Sequence, residues 1–307
     1  MWGILHLYTF LSHKTLSLSF FRKFVRIFNN NMNNEYRPSR FQILPPVIKN
    51  LLIINSIMFL ATYVLSSTFG IDLEKKLGLY TVISPDFHPY QLVTHLFMHG
   101  SVAHIFSNMF ALWMFGNVLE NFWGGKRFLA YYIVTGLGAA FIHSLIMYFN
   151  AHALQVAVNE YLLNPTVDNF DLFVKNHVPS EWQANFQPLI SAWSANPLSS
   201  VYPQEARIAA DTLMQAKLSI PTVGASGAVF GILLAFGMLF PNTLIYIYFL
   251  IPIKAKYFVI LYGLFELYSG FQNSPGDNVA HYAHLGGMLF GFILIKYWSK
   301  TDRNHYQ

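Results

Sequence analysis

The sequence has no cysteine and very little charge. Only 11% of its 307 residues are Asp, Glu, Lys or Arg, whereas 54% are hydrophobic. Soluble domains carry about 25% charged residues, so this deficit argues against a water-soluble globular domain. The lack of cysteine means that no disulfide staples an exposed loop.

Long apolar runs and many aromatic residues take the place of charge. Aromatic side chains make up 17% of the chain, which fits rings that anchor at bilayer interfaces. The net charge of +5 is typical of basic cytoplasmic loops in a membrane protein. We therefore expect the lipid bilayer, and not a nucleic acid, as the surroundings of this chain.

Six apolar segments approach the length of about 20 residues that crosses a bilayer. They predict an all-α membrane protein with six transmembrane helices, at residues 51–67, 92–119, 128–149, 224–240, 257–268 and 279–298. The fifth segment is short, and we expect its helix to extend at both ends. Residues 244–253 are apolar but broken by proline, and basic residues follow directly, so we expect an interfacial loop there.

The distribution of basic residues predicts the orientation of the spans. With both termini in the cytoplasm, most of the 19 Lys and Arg residues lie on the cytoplasmic side, as positive charge does in membrane proteins. The outer loops then hold only Lys75, Lys76, Lys175, Arg207 and Lys217. We predict a multi-pass protein of the bacterial inner membrane.

Residues 1–49 form a basic arm ahead of the first span. Within it, residues 16–28 combine aromatic and basic side chains in the pattern of a helix on an anionic membrane surface. Two alternatives remain open. In the first, translation starts at Met32 and residues 1–31 are a mis-called extension. In the second, the basic, serine-containing and acid-free stretch is an organelle transit peptide.

The predicted transmembrane domain comprises residues 50–149 and 222–298 and is interrupted by a polar insert. Residues 150–221 contain helix-like stretches at 154–163 and 205–218, separated by prolines. We expect a small extramembrane helical cap between the third and fourth spans. Residues 299–307 form a cytoplasmic tail.

The second span carries polar groups, which are costly in a bilayer and usually functional. His104 and Asn108 are four residues apart and project from one helix face. Both donate hydrogen bonds, as a site that stabilises an oxyanion requires. Alternatively, His and Asn simply bond across helices.

A serine lies between glycines at the start of the fourth span, in Gly224-Ala-Ser226-Gly227. The glycines allow other backbone to approach closely, and free N–H groups at a helix start bind anions. The hydroxyl of Ser226 can then project into a cavity. Taken alone, small residues in membrane helices more commonly serve packing.

The sixth span carries a histidine beside a small-residue face. Gly287 and Gly291 form a GxxxG pattern, and His284 precedes it by three residues. A neutral imidazole there could accept the proton of a serine. His281 lies one turn earlier and is the less favoured base. The alternative is a packing motif with an incidental histidine.

In the assigned orientation, these three polar places fall at one depth in the outer half of the membrane. Nucleophile, base and anion donors are the groups that acyl transfer needs.

At this point the sequence strongly resembles the rhomboid intramembrane proteases. The resemblance covers all six predicted spans and rests on the combination of their motifs. These are His99, His104 and Asn108, the Gly224-Ala-Ser226-Gly227 stretch, Ala283-His284 with Gly287 and Gly291, and Glu120-x-x-Trp123-Gly124 followed by Arg127-Phe128.

The resemblance implies a six-helix rhomboid bundle and a serine endopeptidase. Ser226 is implied as nucleophile and His284 as general base, with no aspartate completing a triad. The implied oxyanion groups are His104, Asn108 and the Ser226 N–H.

Supporting roles are implied as well. His99 bonds at the top of the second span, and Phe230 stacks on His284. The implied substrates are single-span membrane proteins, and no metal or organic cofactor is expected.

Two features depart from the family pattern. The first outer loop lacks the Trp-Arg pair that family members commonly have. The insert at residues 150–221 is also longer than the usual connection. We hypothesise that it caps the site or restricts access to it.

Two other function classes compete with a protease. A non-catalytic rhomboid-like binder of membrane helices typically loses the nucleophile or the base, and this chain retains both. A metal carrier could use the clustered histidines, but no HExxH motif is present and no carboxylate accompanies them in either span.

Overall fold

The computed structural model describes residues 41–247, 250–272 and 279–304, and most of this part of the chain is helical. The helices are α1 (Pro46–Phe69), α2 (Leu73–Leu77), α3 (Gln91–Thr94), α4 (Val102–Trp123), α5 (Gly125–Leu163), α6 (Val167–His177), α7 (Ser180–Gln183), α8 (Gln187–Ala195), α9 (Val201–Leu218), α10 (Ser226–Leu239), α11 (Ala255–Gln272) and α12 (His281–Asn304). Two strands, β1 (Leu244–Ile247) and β2 (Ile251–Lys254), form an antiparallel hairpin. The prediction of a predominantly helical protein is confirmed.

Among the helices that the structure describes, three are long and apolar enough to cross a membrane, namely α1, α4 and α5. Helix α10 is a shorter apolar helix of 14 residues. It is apolar on all sides, and such a helix is stable where neighbours cover every face. Helices α4, α5, α11 and α12 all pack against it, so α10 lies inside the bundle.

The first helix begins and ends at identifiable signals. Pro46 occupies the first helical position, where a missing N–H costs nothing. The Glu120 carboxylate accepts hydrogen bonds from the N–H groups of Val47 (2.9 Å) and Ile48 (2.8 Å), which no helical carbonyl can satisfy. The helix ends at Gly70, whose φ of 66° suits a residue without a side chain. Glu120, at the end of α4, therefore ties α4 to the start of α1.

The predicted second span, 92–119, is not one continuous helix. The chain forms α3 and a 3-10 turn at His95–Phe97, becomes extended at Met98, and resumes as α4 only at Val102. Ser101 caps α4 by accepting a hydrogen bond from the His104 N–H, so the helix begins at a capping signal. The break leaves His95 outside the long helix that carries His104.

The third predicted span also differs, because α5 does not stop at residue 149 but continues to Leu163 over 39 residues. Its second half packs against α6 and α9 around a separate apolar cluster. The buried members of this cluster are Ala151, Leu154, Val158, Tyr161, Phe170, Phe173, Val174, Val178, Ile190, Trp193, Ala206, Ala210, Met214 and Leu218. The segment predicted as a helical insert thus has helices and a core of its own, built partly on α5.

The segment after α10 is the β1–β2 hairpin and not the expected interfacial loop. Leu244 pairs with Lys254 and Ile247 with Ile251, and Pro252 faces Tyr246. A proline is tolerated in a strand at the edge of a sheet, and both strands of a hairpin are edges. Helix α11 follows directly and, as expected, extends beyond 257–268 at both ends.

The basic arm up to residue 40, including the predicted surface helix at 16–28, lies outside the described residues, as do the last three residues of the tail.

Candidate active site

The segment that leads into Ser226 is held by backbone contacts. Leu79 and Thr222 exchange two hydrogen bonds of 2.8 Å, and the Gly224 N–H donates to the His95 carbonyl at 2.9 Å. His143 on α5 contacts the Thr222 hydroxyl through Nε2 at 2.8 Å. The first loop thus reaches the site through a short bridge at Leu79, without the Trp-Arg pair that it lacks.

Ser226 is the first residue of α10 and lies opposite His284 of α12. The His284 Nε2 is 2.9 Å from the Ser226 Oγ, although 58 residues separate the two in sequence. The Phe230 ring, one turn along α10, stacks on the imidazole with centroids 4.0 Å apart and planes 8° apart. The stacking holds the imidazole plane in place while its edge faces the hydroxyl.

Close packing of two helices produces this geometry. At Gly287, a Cβ atom would overlap the carbonyl oxygen of Gly227, so α12 touches the backbone of α10 there. At Gly291, a Cβ would overlap the Tyr131 hydroxyl of α5, which donates a hydrogen bond of 2.8 Å to the Gly231 carbonyl. The small-residue face predicted from the sequence is therefore a contact face, and His284 lies at the N-terminal end of this face.

His104 comes close to the approach segment of Ser226. A Cβ atom at Gly224 would lie 2.8 Å from the His104 Nε2 and 3.6 Å from the Ser226 Oγ. The φ of Gly224 is 130°, a conformation that L side chains rarely adopt. Both observations explain why glycine occupies this position, and they place His104 beside Ser226.

Asn108 and His99 are buried near His104. The Asn108 Nδ2 makes no hydrogen bond with any residue that the structure describes, so this amide is a free donor within the bundle. His99 packs edge-on against His104 with ring centroids 5.0 Å apart. The hydrogen bond expected of His99 at the top of the second span stays a prediction.

The sequence interpretation missed Glu266 of α11. Its Oε2 lies 2.7 Å from the His284 Nδ1 and 2.6 Å from the His281 Nδ1, and all three side chains are buried. A signal was available, because an acidic residue inside an apolar helix is functional by default. Neither of the two predicted spans that carry the histidines contains a carboxylate. In the folded protein, however, Glu266 reaches His281 and His284 from a third helix.

This trio also has the composition of a metal site, since its ligand atoms lie within 4.8 Å of one another. The two oxygen–nitrogen separations of 2.6 Å and 2.7 Å are those of charge-assisted hydrogen bonds. The Glu266 carboxylate oxygen is thus hydrogen-bonded directly to both imidazole rings. This arrangement favours proton chemistry over metal coordination.

Comparison with known proteins finds a matching family model and curated relatives. The family model described as "Rhomboid domain" matches residues 86–157 and 188–301. An uncharacterized mitochondrial rhomboid protein of Schizosaccharomyces pombe is 27% identical over 223 residues, which is 69% of this chain and 52% of that protein. The mitochondrial RHOMBOID-like protein 12 of Arabidopsis thaliana is 24% identical over 220 residues, covering 71% and 48%. The chain thus spans about half the length of these relatives.

Proposed function

This chain belongs to the rhomboid family, and we propose that it is an intramembrane serine endopeptidase that uses Ser226 as nucleophile and His284 as general base. The observation that carries the proposal is the 2.9 Å contact between the Ser226 Oγ and the His284 Nε2. A hydroxyl within hydrogen-bond reach of an oriented imidazole is the arrangement that activates a serine.

The proposed reaction follows acyl-transfer chemistry. His284 Nε2 takes the proton of Ser226, and Oγ attacks the scissile carbonyl of a locally unwound segment in a single-span membrane protein. His284 then gives this proton to the leaving amine, so the peptide C–N bond breaks and an acyl-enzyme forms. A water molecule, deprotonated by His284, hydrolyses the ester and regenerates Ser226.

The negative oxygen of the tetrahedral intermediate needs donors. We assign this role to His104, to the free amide of Asn108, and to the N–H of Ser226 at the start of α10. The first N–H groups of a helix have no helical acceptor and favour negative charge. Removing one donor of this kind typically lowers kcat by a factor of about 10²–10³.

The proposed topology keeps six spans, formed by α1, α4, the first half of α5, α10, α11 and α12. Support comes from the three long apolar helices and from the burial of α10 among its neighbours. We propose that the 150–221 segment, which has a separate apolar cluster, is an extramembrane cap that limits substrate access.

The comparisons lead us to propose a different membrane from the one expected from the sequence. The bacterial inner membrane has no support from the comparisons, since both reported relatives are named as mitochondrial. We propose a mitochondrial membrane instead, with the basic, acid-free residues 1–31 as the targeting segment. Fusing residues 1–40 to a fluorescent protein tests this, and a fusion that stays in the cytosol would contradict it.

The decisive test of activity is cleavage of a single-span reporter by detergent-purified protein. Ser226→Ala and His284→Ala should abolish both cleavage and labelling of the serine by a fluorophosphonate. Ser191→Ala and His177→Ala are matched controls, because both side chains are exposed and lie outside the site. A folded wild-type protein that cleaves no reporter and takes up no probe would instead favour a non-catalytic binder of membrane helices.

A further inference from the structure

The buried carboxylate of Glu266 lies between the two histidines of α12, and we propose that it is a positioning residue that fixes the tautomer and orientation of His284. This inference rests on the proposed protease function. It extends the Ser226–His284 pair to a third residue, supplied by a different helix.

The geometry points to the ring nitrogen of His284 that carries the proton. Glu266 Oε2 is 2.7 Å from the His284 Nδ1, and the opposite nitrogen, Nε2, is 2.9 Å from the Ser226 Oγ. An ionised carboxylate only accepts hydrogen bonds, so Nδ1 must be the protonated nitrogen. The lone pair of Nε2 then faces the Ser226 hydroxyl, which is the tautomer that a general base requires.

The charge of Glu266 matters most during the reaction. When Nε2 accepts the serine proton, His284 becomes a cation on a side chain that is only 8% exposed. The carboxylate beside Nδ1 stabilises this cation, because opposite charges attract strongly where water does not screen them. The Nδ1 proton stays on His284 throughout, and only the Nε2 proton moves to the leaving amine.

His281 makes the buried carboxylate tenable. Its Nδ1 lies 2.6 Å from the same Oε2, and the exposed fractions of the two side chains are only 8% and 3%. A buried charge is costly unless several donors satisfy it, and two imidazole N–H groups do so here. The hydrogen bond to His281 thus fixes the Glu266 carboxylate, and the carboxylate in turn orients the His284 ring.

Glu266 also connects the site to α11. Helix α11 is otherwise largely exposed along one side, where Leu261, Leu264, Phe265 and Tyr268 project outward. The hydrogen bonds to α12 attach this helix to the catalytic histidine. A positioning role therefore predicts an effect on turnover that a purely structural helix contact would not produce.

The first test compares Glu266→Gln and Glu266→Asp with the wild-type protein in the reporter assay. Glutamine keeps the size but loses the charge, so we expect kcat to fall by about 10²–10⁴-fold with KM unchanged. Aspartate keeps the charge on a shorter chain and should recover part of this loss. Glu205→Gln, an exposed change on α9, is the matched control and should leave kcat unchanged.

The second test does not depend on any Glu266 variant. Nitrogen-15 NMR of histidine-labelled wild-type protein reports the tautomer of His284, with the His284→Ala spectrum as assignment reference. We expect the proton on Nδ1. A neutral His284 protonated on Nε2 would overturn the proposal, and so would a folded Glu266→Gln variant with wild-type kcat.

The outcomes separate this inference from the proposed function. If wild-type protein cleaves the reporter and Glu266→Gln does so equally well, the protease assignment stands and only the role of Glu266 fails. If wild-type protein neither cleaves nor takes up the probe, the protease assignment fails, whatever the tautomer. Loss of wild-type activity on chelation, restored by zinc, would show that the trio holds a metal ion and would overturn the positioning role.

Discussion

Substitution of Gly287 by alanine should disable the proposed site without changing Ser226 or His284 themselves. A Cβ atom at this position would overlap the carbonyl oxygen of Gly227 on α10, and a backbone atom cannot rotate away. Carbon atoms in good contact lie about 3.5–4.0 Å apart, so α10 and α12 must separate by about 1 Å or more. Ser226 and His284 lie within one turn of this contact, and their 2.9 Å approach must lengthen with it.

The magnitude follows from the displacement. A misplacement of about 1 Å can cost 10²-fold in rate, so we expect kcat for the reporter to fall at least to that extent. Overpacking in a well-packed core costs about 1–3 kcal/mol, which should appear as a lower unfolding temperature in detergent.

Gly263→Ala is the matched control, on the neighbouring helix α11. A Cβ there would meet only the flexible end of Met288, at 3.3 Å from its Cε, which can move aside. We expect activity and stability close to those of the wild-type protein. If Gly287→Ala cleaves the reporter as fast as Gly263→Ala, the claim that close contact of α10 and α12 sets the serine–histidine distance is wrong.

Four further predictions concern single side chains. Asn108→Ala should lower kcat by about 10²–10³-fold with little change in KM, and full activity would remove its free amide from oxyanion stabilisation. Phe230→Leu should slow fluorophosphonate labelling by about 2–10-fold through loss of ring stacking, and an unchanged labelling rate would contradict this. Glu120→Gln should lower the free energy of unfolding by about 1–3 kcal/mol, measured by thermal unfolding against Glu160→Gln, because two helix-start N–H groups lose a charged acceptor. Trp193→Ala should destabilise the 150–221 segment by about 3–5 kcal/mol and expose it to proteolysis; loss of serine labelling in this variant would show that the segment and the site are not independent.

Much of this protein could be predicted from local sequence pattern. Apolar runs and scarce charge indicated a helical membrane protein, and the combined motifs indicated the rhomboid family, which the family match confirms. The glycines on the helix that carries His284 also predicted a close helix contact. A residue without a side chain lets the backbone of a neighbouring helix come close. The roles of Ser226 and His284 remain predictions.

Element boundaries were less accessible to sequence. The break at Met98, the continuation of α5 to Leu163 and the hairpin after α10 all replace simpler expectations. Each depends on tertiary partners. The long α5 is half covered by the bundle and half by the separate cluster, and hydropathy alone cannot distinguish these two coverings.

Only the tertiary structure decided which side chains surround His284. His284 meets Ser226 across 58 residues and Glu266 across 18, on three different helices. A sequence shows that an acid interrupts an apolar helix, but not which face it presents or which helix lies opposite. Helix packing decides both, because the tight contact of α10 and α12 sets His284 beside Ser226 while α11 brings the carboxylate to the other side of the same ring.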